Sequence, residues 1–308
     1  MVEFRNQTVT YLKRKFRDIG IRPVSKHGQN FLIDMNILDL LVRSAEIGPE
    51  DVVLEIGTGT GTLSTRLASL AAHVVTVEID PHMVALAQEE LDGFENVTLL
   101  QTDALRNKNH FQPILMETIR DVMERTGAKR YRLAANLPYN VATPILSNLL
   151  RAELTPASMT VTIQKEMADR LVAVPSTKDY GAISVWMQSQ CDVELVRVMP
   201  PSVFWPKPKV DSAIVHLQLD PERRARIPDR EFFHEFTRSV FFHRRKYLRS
   251  VLHSAFKNRL EKSEVDQVMR THGIREDARA ETFAVEEIFQ MGERFREALA
   301  QKGDIATP

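Results

Sequence analysis

The sequence predicts a doubly wound α/β fold with a sheet of seven strands, followed by a small all-α domain. Three observations carry the prediction. Short apolar runs at 52–56, 74–77, 97–100, 131–135 and 159–163 are separated, for the most part, by helical patterns, the rhythm of a mainly parallel sheet. The first run passes directly into Gly57-Thr58-Gly59-Thr60-Gly61 and then a helix, a turn whose glycines let a ligand approach the backbone. Beyond Pro221 no strand pattern appears, and helical patterns fill the remainder.

In chain order, residues 10–19 read as a short basic helix stopped by Gly20 and Pro23. Lys26-His27-Gly28-Gln29-Asn30-Phe31-Leu32 is a polar loop entering a helix at 35–45, which Gly48-Pro49 breaks. Strand 52–56 and the glycine turn lead into helix 63–71 and strand 74–77, with Glu78 at the strand's carboxyl end. An acid there can bind both hydroxyls of a ribose. Pro81 opens helix 82–91. Strand 97–100 then ends in Gln101-Thr102-Asp103-Ala104, which places Asp103 to accept from an adenine amino group. The polar stretch up to Arg130 holds one helical pattern, 114–125, closed by Gly127. Strand 131–135 delivers Asn136-Leu137-Pro138-Tyr139, and helix 143–151 follows with Pro144 in its first turn. After strand 159–163 come helices at 164–171 and 182–190, separated by a turn at 177–181. Strands 193–198 and 213–219 are joined by the proline-rich loop 200–209, so they can pair as an antiparallel edge. Helices at 231–242, 247–257, 264–272 and 285–298 complete the chain. The expected domains are 1–220, with a basic N-terminal extension, and 221–308.

Composition excludes several classes. Hydrophobic residues at 43% and charged residues at 27% describe a globular chain, and no apolar run reaches the roughly 18–20 residues of a membrane span. The single Cys191 excludes an internal disulfide and a cysteine metal cluster, and the nine histidines show no ligand spacing. No signal-peptide core precedes the basic residues Lys13, Arg14 and Lys15. A monomeric cytoplasmic protein without a metal is expected. Formal net charge is zero, yet residues 221–262 carry twelve Lys or Arg against five Asp or Glu. Residues 1–30 are also basic. Such local surplus suits phosphate, and it equally describes a solvated helical face. Phe241-Phe242-His243-Arg244-Arg245-Lys246 concentrates it between two helices.

The Asn136 turn offers an amide, a carbonyl and an aromatic ring together. Asn136 can accept from an exocyclic amine, as can the carbonyl of Leu137, kept out of a helix by Pro138. Tyr139 can stack on the ring of a base. The same four residues also describe a capped strand-to-helix turn. The glycine spacing, with Glu55 before it, departs from the G-x-G-x-x-G of the nicotinamide binders. S-adenosylmethionine, a cation without phosphate, is therefore the expected cofactor in preference to NAD, and the acidic Glu55 is expected to suit it.

Gly28 to Leu32, Glu55 to Gly61, Val77-Glu78-Ile79-Asp80, Asp103-Ala104 and Asn136 to Asn140 resemble the motifs of the ribosomal RNA adenine N6,N6-dimethyltransferases. Gln164-Lys165-Glu166, Tyr180-Gly181, Phe204 to Val210 and Arg244-Arg245-Lys246 continue the resemblance in order, so that it covers about residues 20–250. It implies a Rossmann-like class I S-adenosylmethionine-dependent methyltransferase domain with a small helical domain. It also implies dimethylation of two adjacent adenosines near the 3′ end of small-subunit (16S) rRNA during subunit maturation. By match, Gln29, Asn30, Leu32, Glu55, Gly57, Gly59, Glu78, Asp103, Ala104 and Asn136 would hold the cofactor. Asn136, Leu137, Pro138, Tyr139 and Phe204 would form the catalytic turn and the sandwich around a flipped adenine. Arg244, Arg245 and Lys246 would bind RNA. Thr58 stands where the family usually has proline, which should loosen the turn. Tyr247 replaces a more usual small residue, and the stretch 106–129 is longer than expected.

The implied reaction is direct displacement by N6, with no strong base at the turn and catalysis resting on positioning. Three other readings share features of the chain. They are a large-subunit (23S) adenine methyltransferase of the antibiotic-resistance type, a DNA N6-adenine methyltransferase, and a non-catalytic ribosome-assembly or nucleic-acid-binding factor. The intact Gly28–Leu32 block and Asn136-Leu137-Pro138-Tyr139-Asn140 favour the small-subunit enzyme. Intact Glu78, Asp103, Asn136 and Tyr139 speak against a retired site.

Overall fold

The computed structural model describes residues 8–18, 20 and 30–303. Of the expected ligand residues, Gln29 lies outside the described residues. Among them, seven strands form the central sheet: β1 Val52–Ile56, β2 His73–Glu78, β3 Val97–Gln101, β4 Tyr131–Asn136, β5 Ser158–Gln164, β6 Cys191–Met199 and β7 Ser212–Leu219. Their order is β3-β2-β1-β4-β5-β7-β6. β1 runs parallel to β2 and β4, β2 to β3, and β4 to β5. β7 runs antiparallel to β5 and neighbours β6 at the edge. β1 and β2 are buried at every position, as strands covered on both faces require, and their sequences are rich in β-branched residues.

The chain leaves β1 toward β2 on one side, while β4 lies on its other side. Strand order therefore reverses between β1 and β4, and the carboxyl ends of these two strands open a crevice. The glycine turn follows β1 and the Asn136 turn follows β4, so both face it. A Cβ added at Gly57 would lie 3.5 Å from Pro138 Cδ. At the opposite end of the same strands, buried Asp51 accepts from Arg130 Nε at 2.5 Å and Arg132 Nε at 2.9 Å. Arg132 also donates to Ser158 Oγ at the start of β5.

Between β3 and β4 the long polar stretch is mostly the crossover helix Pro113–Thr126. It buries Leu115, Ile119 and Val122, one stripe at helical spacing. Before it, Leu105–Asn107 and His110–Phe111 pair as a small hairpin, too short for any alternation to announce it. A second short ladder pairs Phe31 with Trp205 and Leu32 with Phe204.

By its internal contacts the chain divides into two compact units. One runs to Ala168 and takes in Glu194–Gln218; the other comprises Asp169–Val193 and continues from Leu219. The second unit thus includes helix Ala182–Gln188 as well as the expected C-terminal helices, Arg230–Phe241, Leu248–Ala255, Lys262–Thr271 and Val285–Gln301. Its core is aromatic. Trp186 packs at 6.1 Å from Phe233 and 4.9 Å from His234, and Phe256 stacks on Phe295 at 4.7 Å. Tyr180 meets Phe241 edge-on and donates its hydroxyl to Phe283 O.

Candidate active site

At the end of β1, Gly57, Gly59 and Gly61 have φ of +88°, +55° and +80°, a region side chains rarely occupy. Gly59 has a second constraint, because a Cβ there would come 3.2 Å from the Phe31 ring. Thr58 ties the turn down rather than loosening it. Its amide donates to Val77 O and its hydroxyl lies 2.6 Å from Thr76 Oγ1, two hydrogen bonds that a proline would lack.

Glu78 ends β2 with both carboxylate oxygens engaged by backbone. Oε1 accepts from the amides of Ile79 and Asp80, and Oε2 accepts from Gly59 at 2.9 Å. Burial pushes this carboxyl above its usual range, and the three amides oppose that rise. Oε2 keeps lone-pair capacity for a further donor. Beyond β3, Asp103 Oδ1 accepts from Leu105 N at 2.9 Å, which orients the carboxylate and leaves Oδ2 for a ligand.

Asn136 ends β4. Its Nδ2 donates to Asn30 O at 2.8 Å, so Oδ1 is the atom presented as an acceptor. Leu137 donates its amide to Thr162 O and buries its side chain, while its carbonyl accepts no backbone bond among the described residues. The Tyr139 hydroxyl lies 2.6 Å from Ser212 Oγ, which fixes the ring. Burial raises the Tyr139 pKa, with Ser212 acting in the other direction. Ser212 escaped the sequence reading, although it sits two residues beyond the Phe204–Val210 block.

These groups line one cleft of about 350 Å³. It gathers Asn30, Gly57, Gly59, Glu78, Asp103, Ala104, Asn136, Leu137, Pro138 and Tyr139. Phe31, Ile56, Val77, Ile79, Leu105 and Ile145, none of them among the residues expected to hold a ligand, supply its apolar wall. The described lining holds two carboxylates, Glu78 and Asp103, and no Lys or Arg.

Three expected residues are not brought to the cleft. Glu55 is 1% exposed and accepts from Ser64 Oγ at 2.5 Å and Thr76 Oγ1 at 2.7 Å. Its carboxyl is an interior group, pushed up to about 8 by burial, against the hydrogen bonds from Ser64 and Thr76. Leu32 and Phe204 belong to the hydrophobic core with Leu38 and Leu41, and Phe204 is only 2% exposed. The reason is parity. In the Phe31–Leu32 ladder alternate side chains point to opposite faces, so Leu32 and Phe204 turn inward while Phe31 reaches the cleft.

The predicted RNA-binding residues lie in the helical unit, and they are not equivalent. Arg244 donates to Lys178 O at 2.5 Å and Thr177 O at 3.3 Å, and lies 3.5 Å from Glu281. Arg245 and Lys246 are exposed and have no carboxylate partner among the described residues.

A family model described as ribosomal RNA adenine dimethylase matches residues 22–297. The ribosomal RNA small subunit methyltransferase A of Clostridium acetobutylicum is 38% identical over 266 residues, 86% of this chain and 91% of that protein. The protein of the same name from Listeria innocua is 38% identical over 279 residues, 89% of this chain and 91% of its own length. Among solved structures, a dimethyladenosine transferase from Plasmodium falciparum aligns with a TM-score of 0.70 at 23% identity, covering 86% of this chain and 97% of its own. The 23S rRNA methyltransferase ErmE aligns with a TM-score of 0.61 at 24% identity, covering 87% and 100%. Those two likenesses concern the fold.

Proposed function

Because the chain belongs to the ribosomal RNA adenine dimethylase family, we propose that its substrate is small-subunit (16S) rRNA. There it would convert two adjacent adenosines near the 3′ end to N6,N6-dimethyladenosine on the immature subunit. The chain is an rRNA adenine methyltransferase, and enzymes of this kind draw their methyl groups from S-adenosylmethionine. The names of relatives at 38% identity support the small subunit as substrate. On this reading the protein works as a cytoplasmic monomer; no helix among the described residues is long and apolar enough to cross a membrane.

The cleft fits this cofactor. Two carboxylates and no Lys or Arg in the described lining suit a cation and oppose a pyrophosphate. When bound, S-adenosylmethionine supplies a methyl group on a positively charged sulfur. Glu78 would hold the ribose hydroxyls, Asp103 Oδ2 the adenine amino group, and the apolar walls the adenine ring.

The orientation of the Asn136 amide carries the reading. With Nδ2 committed to Asn30 O, Oδ1 and the Leu137 carbonyl act as paired acceptors for the two hydrogens of the target N6. That pairing draws the nitrogen toward a tetrahedral geometry and leaves its lone pair for the incoming methyl. Tyr139, anchored through Ser212, stacks on the flipped base, an interaction worth roughly 1–3 kcal/mol that offsets the cost of leaving the helix stack. Among the described residues no base adjoins the turn, and none is needed, because the alkylated nitrogen is acidic enough to release its proton to water. Catalysis is then positional, where a small misplacement costs on the order of a hundredfold. Asn136→Ala should lower the single-turnover methylation rate by about that factor while its circular dichroism stays that of the parent. A near-normal rate in the folded variant would contradict the assignment.

A further inference from the structure

The helical unit carries a second concave surface that the reaction chemistry leaves unused. Helices Arg230–Phe241 and Leu248–Ala255 border a groove of about 470 Å³, with Arg238, Ser239, Phe242, His243 and Val251 in its lining. Val251 is buried at its base. At its rim stands Phe242, 77% exposed and the most exposed large hydrophobic side chain among the described residues. His243 meets that ring edge-on at 4.7 Å. An exposed ring is unexpected in a unit that buries Phe233, Phe236, Phe256 and Phe295 in its own core.

Charge indicates what the ring is for. Arg238 lines the groove, and Arg245 and Lys246 follow Phe242 in the same loop; all three are exposed and lack a carboxylate partner among the described residues. Glu235 is the one acid in the lining. An anionic ligand with a flat apolar face satisfies both features. A membrane surface would need more apolar anchors than one ring, and an acidic peptide would leave the ring without a role. Single-stranded nucleic acid supplies both parts, because bases stack on aromatic rings while phosphates take the cations.

We infer that this groove is a subsite for an unpaired base of the RNA substrate, stacked on Phe242 beside His243. The flanking phosphates are held by Arg238, Arg245 and Lys246. The inference rests on the rRNA reading above and adds to it a contact far simpler to remove than the catalytic turn.

The test uses the full chain and a short single-stranded oligoadenylate carrying a central 2-aminopurine, whose fluorescence is quenched on stacking. Wild type and Phe242→Trp should quench it. Phe242→Ala and Phe242→Leu should lose the quenching and bind about tenfold more weakly, with an unchanged salt slope because no charge is altered. Replacing Arg245 and Lys246 by Ala should do the reverse: quenching persists, and the slope of log K on log salt falls by about 1.4. Phe242→Leu behaving as wild type, or a wild type that neither binds nor quenches, would overturn the inference. Methyl transfer to immature small subunits is measured alongside. Its absence in wild type would defeat the functional reading itself, whereas its presence with an indifferent Phe242 defeats the subsite alone.

Discussion

A single hydrogen bond, from Asn136 Nδ2 to Asn30 O, decides which end of one amide is left as an acceptor at the cleft. The turn itself was legible because its four residues are contiguous, and each brings a distinct atom to one place. Glu55 was misread for the opposite reason. Sequence places an acid before the glycine turn, but the hydroxyls that claim it, Ser64 and Thr76, come from the following helix and the neighbouring strand. Burial lifts this carboxyl from 4.5 to about 8, against those hydrogen bonds and with the charge of Glu78 adding to the rise. Across that interval the folded chain holds a proton that the unfolded chain has released. The group's contribution to stability is therefore full below the lower value and falls as pH rises toward the upper one. Glu55→Gln keeps an acceptor for both hydroxyls and removes the titration. Denaturant midpoints at about pH 5 and about pH 8 should differ less in Glu55→Gln than in wild type; an equal difference would show that the carboxyl does not titrate there.

Secondary-structure elements were the most readable level. Five of the seven sheet strands stand out as apolar runs and the last two as alternating patterns, and the helices between them are amphipathic, because burial on one or both faces imposes those periods. Sheet order is not written in periodicity, and neither are the two short ladders, of two or three residues a side. The ladder between Phe31–Leu32 and Phe204–Trp205 matters most, since a one-residue parity decides whether Phe204 faces a ligand or the core. The crevice at the β1–β4 switch depends on those strands holding register, and Asp51 clamps their far ends through Arg130 and Arg132. Burial would raise the Asp51 pKa, but the bonds from Arg130 and Gly48 N and the charge of Arg132 hold it below the usual carboxylate range. Its stabilisation is thus present at neutral pH and lost as pH falls through that lowered value. Asp51→Asn strips the buried Arg132 of its counter-charge, and urea unfolding should register a loss of about 3 kcal/mol. A change within about 0.5 kcal/mol, as for an ordinary surface substitution, would mean the clamp contributes nothing.

At the scale of the whole chain, a formal net charge of zero conceals the partner. The cations proposed to hold RNA are a local set in the helical unit, and of the three named from sequence the Arg244 side chain is held by Lys178 O and Glu281, while Arg245 and Lys246 have no carboxylate partner among the described residues. The make-up of that unit was only partly visible. Helix Ala182–Gln188 reads as one more amphipathic segment, and nothing in its period says that Trp186 will pack on Phe233 and His234 some fifty residues later. Long-range choice of core is a property of packing, which one sequence does not display. Under the proposed function, this chain methylates adenosines of the small ribosomal subunit at the Asn136 cleft. Purified protein is incubated with labelled S-adenosylmethionine and, in parallel, with unmethylated small and large subunits, and the digested nucleosides are weighed by mass spectrometry. Labelled dimethyladenosine is expected from the small subunit alone; label confined to the large subunit, or found in neither, would contradict the proposed function.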